Sequence, residues 1–236
     1  MKVGNNIEAG NASWNFGGDV PDNFVSHIRQ SVPLYEEGHE LVRQLSDFFV
    51  SNRSVVYEIG VSTGELLKKL ATHNRAKGES RWIGIDVEPA MVAKARAHCS
   101  DCANVSIEQE DARAFTFEKT DLVVAYYTMQ FIPPRDRQAL FDRIYQALNW
   151  GGAFIVFEKV RAPDARFQDI MVTLYNEFKL ANGFSPEEIL TKTRSLKGIL
   201  EPFSTEGNLG LLRRAGFVDI TTILKYVSFE GFLAIK

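Results

Sequence analysis

Residues 55–73 read VVYEIGVSTGELLKKLATH, and this stretch decides the fold. A short apolar run comes first, a turn that contains Gly60 and Gly64 follows, and an amphipathic run starts at Glu65. Consecutive apolar residues are typical of a strand buried on both faces, whereas apolar residues spaced three and four apart are typical of a helix. The stretch therefore predicts a parallel β-strand that passes through a tight turn into a helix.

Outward from this stretch, short apolar runs continue to alternate with amphipathic ones. The later apolar runs are WIGID (82–86), VSIEQED (105–111), DLVVAYY (121–127) and AFIVFEKV (153–160). This alternation indicates βαβ units in a doubly wound sheet. Residues 219–236 contain two strand-like runs with little room between them, which predicts an antiparallel pair at one edge. The expected fold is α/β: a mainly parallel seven-stranded sheet with helices on both faces and an antiparallel C-terminal edge pair, as in the Rossmann-like class I methyltransferases by analogy.

The ends of the domain follow from composition. Residues 1–19 are rich in Gly and Asn and predict a flexible N-terminal arm, although Trp14 and Phe16 could dock it. Residues 20–236 are expected to form a single domain of this methyltransferase-like fold, which begins with helices at about 22–30 and 35–50.

A helical insertion interrupts the alternation after Val160. Two long helical stretches, about 167–182 and 186–198, precede a further helix at about 205–214. Because the segment of about 161–204 lies between the fifth strand and the final pair, we expect it to roof the ligand crevice at the carboxyl ends of the strands.

Composition excludes some classes of protein. The chain has 236 residues, 45% of them hydrophobic and 24% charged, with a formal net charge of -3. Without an overall basic field, direct binding to nucleic acid is not expected. The same acidic charge makes a small-molecule substrate the expectation. No run approaches the roughly 20 apolar residues of a membrane helix, so we expect a soluble, cytoplasmic protein. Cys99 and Cys102 form a C-x-x-C pair that no second ligand pair completes, so we expect ordinary thiols and no metal.

The turn after the first strand predicts a ligand site. Gly60 and Gly64 allow a sharp bend and close backbone approach, and a helix N-terminus follows. The spacing matches neither the G-x-G-x-x-G of dinucleotide sites nor a phosphate loop, because no Lys follows Gly64. The pattern favours a ligand with a nucleoside and an amino-acid end but no phosphate.

Acidic residues stand at or just after the ends of three successive strands. Glu58 ends the first, Asp86 closes the second, where it can accept both ribose hydroxyls, and Asp111 follows the third. Asp111 can accept the exocyclic amine of adenine while Ala112 offers its backbone amide. The alternative interpretation is that all three are solvated loop carboxylates.

Aromatic residues follow the fourth strand. Tyr126 and Tyr127 are placed to contact a sulfonium, which aromatic faces stabilise, and the alternative is that they fill the core. Since strand positions alternate, one ring is expected to face the site and the other the core. Candidate catalytic or acceptor-contacting residues share a position after strands four and five or on the roof: Tyr127, Tyr175, Arg194, Lys159 and Arg161. The four histidines, His27, His39, His73 and His98, are expected on the surface.

With these residues in hand, the chain resembles the carboxy-S-adenosylmethionine synthase family, a branch of the class I methyltransferase fold involved in wobble-uridine modification of tRNA. The resemblance runs from about residue 22 to the C-terminus. It rests on QSVPLY (30–35), the Gly60 turn, PAM (89–91), TMQF (128–131), RQAL (137–140), KLANGF (179–184) and RAGF (214–217). It implies a homodimer, S-adenosylmethionine (SAM) as cofactor with S-adenosylhomocysteine (SAH) as product, and a cofactor site formed by Tyr35, Gly60, Val61, Ser62, Asp86, Val87, Asp111 and Ala112.

Two positions depart from the family pattern. Tyr126 stands where the family has an Asn, and Thr193 stands where it has the Arg that grips the carboxylate of the carboxylated sulfonium; Arg194 is one residue away. A hydroxyl cannot replace the forked hydrogen bonds of a guanidinium, so the carboxylated cofactor is expected to bind poorly. The preferred hypothesis is methyl transfer to a small acceptor. The alternatives are carboxy-SAM synthesis with prephenate as carboxyl donor and non-catalytic binding of SAM or SAH.

Overall fold

The computed structural model describes residues 1–5, 7–18 and 20–236. Within this part of the chain one sheet contains seven strands: β1 (Val55–Ile59), β2 (Arg81–Asp86), β3 (Val105–Gln109), β4 (Thr120–Tyr126), β5 (Leu148–Lys159), β6 (Asp219–Tyr226) and β7 (Phe229–Ile235). Their order is β3-β2-β1-β4-β5-β7-β6. The first five strands pair in parallel, and β7 is antiparallel to both β5 and β6. This confirms the predicted architecture.

Helices cover both faces of the sheet. They are α1 (Val20–Ser31), α2 (Tyr35–Phe49), α3 (Glu65–His73), α4 (Pro89–His98), α5 (Pro134–Ala147), α6 (Ala165–Ala181), α7 (Pro186–Ser195) and α8 (Thr205–Ala215). The sheet has a hydrophobic core on each face, and neighbouring residues of β1 point into different cores. Val56 packs with apolar residues of α2, α3 and α4, whereas Val55 and Tyr57 pack with those of α5 and α8. This double coverage is why β1 is apolar at consecutive positions. None of the described helices is both long and apolar enough to span a membrane.

The N-terminal segment differs from the flexible arm that its composition predicts. In the described residues, Val3, Ile7 and Trp14 are buried in a small cluster with Met91. The backbone N–H of Trp14 donates to the carbonyl of Ser195, at the end of α7. Three apolar side chains therefore anchor a segment whose Gly and Asn content alone indicates mobility. Asn6 and Asp19, which belong to the same predicted arm, lie outside the described residues.

The predicted roof contains α6 and α7. Each helix begins at a polar N-cap, because Asp164 accepts from the backbone of α6 and Ser185 forms a capping box with Glu188 in α7. The second helix ends at Ser195, three residues before the predicted end, and Gly198 follows with a φ of +73°. These two helices and the N-terminal segment cover the carboxyl ends of β4 and β5.

Candidate active site

A cavity of about 1040 Å³ opens at the carboxyl ends of the parallel strands. The loops after β1, β2, β4 and β5 form its base, the start of α2 forms one wall, and α6 and α7 contribute the roof. Trp14 and Phe16 of the N-terminal segment also line it. The cavity therefore lies where open α/β sheets bind their ligands.

The turn after β1 has an unusual backbone conformation. Gly60, Ser62 and Gly64 all have positive φ angles, of 74°, 54° and 84°. A Cβ atom on Gly60 would lie 2.2 Å from the hydroxyl oxygen of Thr128, so a larger residue does not fit there. Val61 is buried and lines the cavity with its neighbours. The turn that the sequence predicts is thus present and forms part of the cavity wall.

Asp86 joins this turn to the end of β2. One carboxylate oxygen accepts the backbone N–H of Ser62 at 2.9 Å, and the other accepts that of Glu88 at 3.0 Å. Burial raises the pKa of Asp86, and these backbone hydrogen bonds oppose the rise. Since each carboxylate oxygen can accept a further bond, Asp86 keeps the capacity to hold a vicinal diol.

The other two strand-end acids also line the cavity but differ in environment. Glu58 is buried, one of its carboxylate oxygens has no partner among the described residues, and burial raises its pKa well above the usual value. Asp111 is bound by the guanidinium of Arg113 at 2.6 Å, which lowers its pKa. Val87 is largely exposed and Ala112 is buried, and both line the same end of the cavity. The sequence predicted this grouping but not the pairing with Arg113.

Tyr126 reaches under α2. Its hydroxyl donates to the backbone carbonyl of Tyr35 at 2.8 Å, and its ring lies 4.7 Å from those of His39 and Phe157. A Cβ atom on Gly38 would be 2.1 Å from the Tyr126 hydroxyl oxygen, so the absence of a side chain at Gly38 makes room for this tyrosine. The ring therefore acts as a wall of the cavity beside Tyr35.

Tyr127 also lines the cavity, which corrects the expectation that one of the two tyrosines faces the core alone. It has a φ of 58°, so the alternation of the strand breaks at this residue. Its hydroxyl is buried without a partner among the described residues. Gln130, whose role the sequence did not indicate, donates to the carbonyl of Tyr127 at 3.1 Å and accepts the N–H of Lys159 at 3.0 Å, so it joins the ends of β4 and β5.

The roof end of the cavity is cationic. The hydroxyl of Tyr175 donates to the carbonyl of Ser31 at 2.8 Å, and the ammonium groups of Lys159 and Lys179 each lie 4.3 Å from the centroid of its ring. The ammonium group of Lys192 lies over the ring of Trp14. Burial lowers the pKa of Lys159 and of Lys179 to about 8. Tyr175 and Lys159 were predicted here, whereas Lys179 and Lys192 have the sequence pattern of ordinary solvated helix residues.

The predicted arginine contacts are only partly present. Arg194 is exposed and does not line the cavity, because its position on α7 directs it outward. This corrects the expectation that Arg194 is a site residue. Thr193 lines the cavity, but its hydroxyl donates to the carbonyl of Ile189 within the helix. Arg161 lines the cavity and is paired with Glu201 at 3.3 Å.

Two histidines are buried at the cavity, which corrects the expectation that all four are on the surface. His39 is 2% exposed, and neither of its ring nitrogens has a partner among the described residues. Burial lowers its pKa to about 3. His27 is 4% exposed and contacts the Asn5 side chain through one nitrogen. Helical periodicity could have indicated this burial, because both lie on amphipathic helices.

Comparison with known sequences places the chain near one group of proteins. A family model described as "Methyltransferase domain" matches residues 56–152. A carboxy-S-adenosyl-L-methionine synthase of Staphylococcus epidermidis is 38% identical over 224 residues, which cover 94% of this chain and 97% of that protein. A protein of the same name from Campylobacter lari is 36% identical, with 94% of each chain covered.

Solved structures share the fold. An O-methyltransferase family protein from Burkholderia thailandensis superposes with a TM-score of 0.63 at 16% identity, covering 92% of this chain and 59% of that one. Human N-acetylserotonin methyltransferase, solved in complex with SAM, superposes with a TM-score of 0.55 at 16% identity, covering 91% and 61%. At these identities the similarity concerns the architecture of the sheet and its helices.

Proposed function

We propose, from the premise that this chain belongs to the carboxy-S-adenosyl-L-methionine synthase family, that it transfers the methyl group of SAM to a small-molecule acceptor. By fold and cofactor the protein is a SAM-dependent methyltransferase. What remains to be assigned is the reaction: which group is transferred and what receives it.

The cavity fits an adenosyl amino acid. Glu58 and His39 present buried polar atoms without partners among the described residues, and such atoms are costly unless a ligand pairs with them. Asp86 would hold the ribose hydroxyls, and Asp111 with the backbone of Ala112 would hold the adenine. Gly60 allows the turn after β1 to approach the ligand. No phosphate-binding lysine follows the turn, in agreement with a ligand that has no phosphate.

The cofactor, when bound, supplies a methyl group activated by a positively charged sulfur. The residues of this chain position the cofactor and the acceptor and set the electrostatic surroundings of the sulfonium. Tyr35, Tyr126 and Tyr127 surround the cavity beside α2 with aromatic rings, which favour a cation next to them. Helices α6 and α7 restrict access of water, and the joined ends of β4 and β5 hold the acceptor side in place. His39, which its lowered pKa of about 3 keeps neutral, can accept a hydrogen bond from an acceptor O–H or N–H.

One observation favours methyl transfer over carboxyl transfer: the described residues offer no free guanidinium in the cavity. Among the described residues, the two arginines that line it, Arg113 and Arg161, are already paired with carboxylates. Thr193 uses its hydroxyl within α7, and Arg194 lies outside the cavity. A carboxylate on the sulfonium would therefore lack the forked, charge-assisted hydrogen bonds that arginine provides.

Carboxy-SAM synthesis is the second candidate, because relatives that match this chain over nearly its whole length carry that name. One experiment separates the candidates. The purified protein is incubated with SAM bearing a labelled methyl group, either with prephenate or with a fractionated metabolite extract, and the products are analysed by mass spectrometry.

Label in a metabolite together with SAH supports methyl transfer. A nucleoside product heavier by one carboxyl group with prephenate refutes it in favour of the second candidate. The variant Asp86→Ala serves as a control that lacks the ribose-binding carboxylate and should form neither product. Tight SAH binding without turnover of label in any fraction would instead indicate a non-catalytic binding protein.

A further inference from the structure

The cavity is divided by charge. Carboxylates occupy the end formed by β1, β2 and β3, where Glu58, Asp86 and Asp111 lie. Ammonium groups occupy the opposite end, under the roof: Lys159 is the last residue of β5, Lys179 lies in the last turn of α6, and Lys192 lies on α7. A nucleoside at the acidic end would leave the cationic end for a different chemical group.

The three lysines have no ionic partner among the described residues. Within the part of the chain that the structure describes, none of the three ammonium groups forms an ion pair with a carboxylate or a hydrogen bond to a carbonyl; instead, they lie over aromatic rings. Carboxylates that line the roof end are engaged elsewhere: Asp164 and Glu188 take part in helix capping.

The ammonium groups are also close to one another. Lys159 and Lys179 share the ring of Tyr175, at 4.3 Å each, so their nitrogens lie within about 9 Å. Lys179, only 6% exposed, interacts electrostatically with both Lys159 and Lys192. Burial and mutual repulsion lower the pKa of Lys192, which is expected where several cations converge without an anion.

We propose that this roof end is an anion subsite in which Lys159, Lys179 and Lys192 bind a carboxylate of the second substrate. The inference rests on the proposed function, since it requires a second small molecule beside the cofactor. The rings of Tyr127, Tyr175 and Phe229 line the same region, so the carboxylate is carried by an apolar body. A separate acceptor and a carboxylated sulfonium could each supply this group, and the test distinguishes them.

The test measures binding to the SAH-loaded protein by calorimetry at constant ionic strength. The probes are benzoate, phenylacetate and malonate, each paired with its uncharged amide. We expect at least one carboxylate to bind about tenfold or more tightly than its amide, and K179Q and K192Q each to reduce that preference about tenfold, as for the loss of one charge-assisted hydrogen bond. R166Q removes a charge from an exposed part of α6 outside the cavity and should leave the preference unchanged.

Thermal unfolding gives a readout that does not depend on tight binding. Without anions, K179Q should unfold at a higher temperature than the wild type, because it relieves repulsion between buried cations, and benzoate should stabilise the wild type but not the variant. The inference is overturned if no carboxylate is preferred over its amide, or if both lysine variants keep the wild-type preference.

Failure of the subsite can be told apart from failure of the proposed function. If SAH does not bind, the proposed function fails; if SAH binds but carboxylates are not preferred, only the lysine assignment fails. Carboxy-SAM and SAM are titrated against the SAH-free wild type and K192Q. A loss of affinity confined to carboxy-SAM supports the subsite, identifies the sulfonium as the source of the carboxylate, and refutes methyl transfer.

Discussion

Gly38 and Tyr126 should be strongly coupled, because the tyrosine occupies the space that a side chain on α2 would need. A Cβ atom at Gly38 would lie 2.1 Å from the Tyr126 hydroxyl oxygen and 3.2 Å from a ring carbon of Phe157. Replacing Gly by Ala inside a helix normally stabilises it by about 1 kcal/mol. Forcing an extra methyl group into a packed interior costs about 1–3 kcal/mol. Gly38→Ala alone should therefore lower the free energy of unfolding by up to about 2 kcal/mol.

The sign should reverse once the tyrosine is removed. In a Tyr126→Leu background the hydroxyl and most of the ring are gone, so Gly38→Ala should raise the free energy of unfolding by up to about 1 kcal/mol. The predicted coupling energy is thus about 1–3 kcal/mol, well above the error of additivity for independent sites. Urea unfolding of the four proteins, followed by circular dichroism, measures it. Equal effects of Gly38→Ala in both backgrounds would refute the packing that we describe.

Three further predictions address the site, the buried acid behind it and the N-terminal segment. Asp86→Asn should weaken SAH binding by roughly 10–100-fold in calorimetry through loss of charge-assisted hydrogen bonds, whereas Asp101→Asn, at an exposed position, should not. Burial raises the pKa of Glu158 to about 8, above its unfolded value; the stability that its proton supplies is complete below the unfolded pKa and is lost as pH rises through about 8. Relative to Glu158→Gln, the wild type should therefore lose up to about 1.4 kcal/mol per pH unit over that interval in urea unfolding, and a constant difference would contradict this. Trp14→Ala should lower the unfolding free energy by about 3 kcal/mol, and a change no larger than that of Phe48→Ala, at a side chain 81% exposed, would instead indicate a flexible arm.

The grouping of site residues at the carboxyl ends of the parallel strands could be predicted from the sequence. Glu58, Gly60 and Asp86 each stand at the carboxyl end of a strand, and neighbouring parallel strands place such ends on one edge of the sheet. Their grouping around one cavity therefore follows from the order of runs along the chain. The antiparallel end of the sheet was predictable for a similar reason, since the two final runs are joined by too few residues for a crossover.

Features that depend on how helices turn against the sheet were not predictable. Lys179 and Lys192 look like solvated lysines until the orientation of α6 and α7 directs them into the cavity. The orientation of α7 also fixes the outward position of Arg194. The local sequence shows the spacing of apolar residues along a helix, but tertiary packing decides which side chains at the border of the apolar face point into the cavity. For Tyr127, a positive φ angle at the end of β4 changed the direction that strand alternation predicts.

The charge division of the cavity bears on both candidate reactions in the same way. Unpaired cations at one end do not stabilise the fold, because their burial and mutual repulsion favour the uncharged form. An anion that binds there would recover this cost and stabilise the protein by mass action. Either an anionic acceptor or a carboxylated sulfonium meets that requirement, so the lysines alone do not choose between methyl and carboxyl transfer. The ground on which we propose methyl transfer is therefore a different one, the donors on α7: the hydroxyl of Thr193 donates to the carbonyl of Ile189 within the helix, so it does not supply the forked hydrogen bonds of a guanidinium.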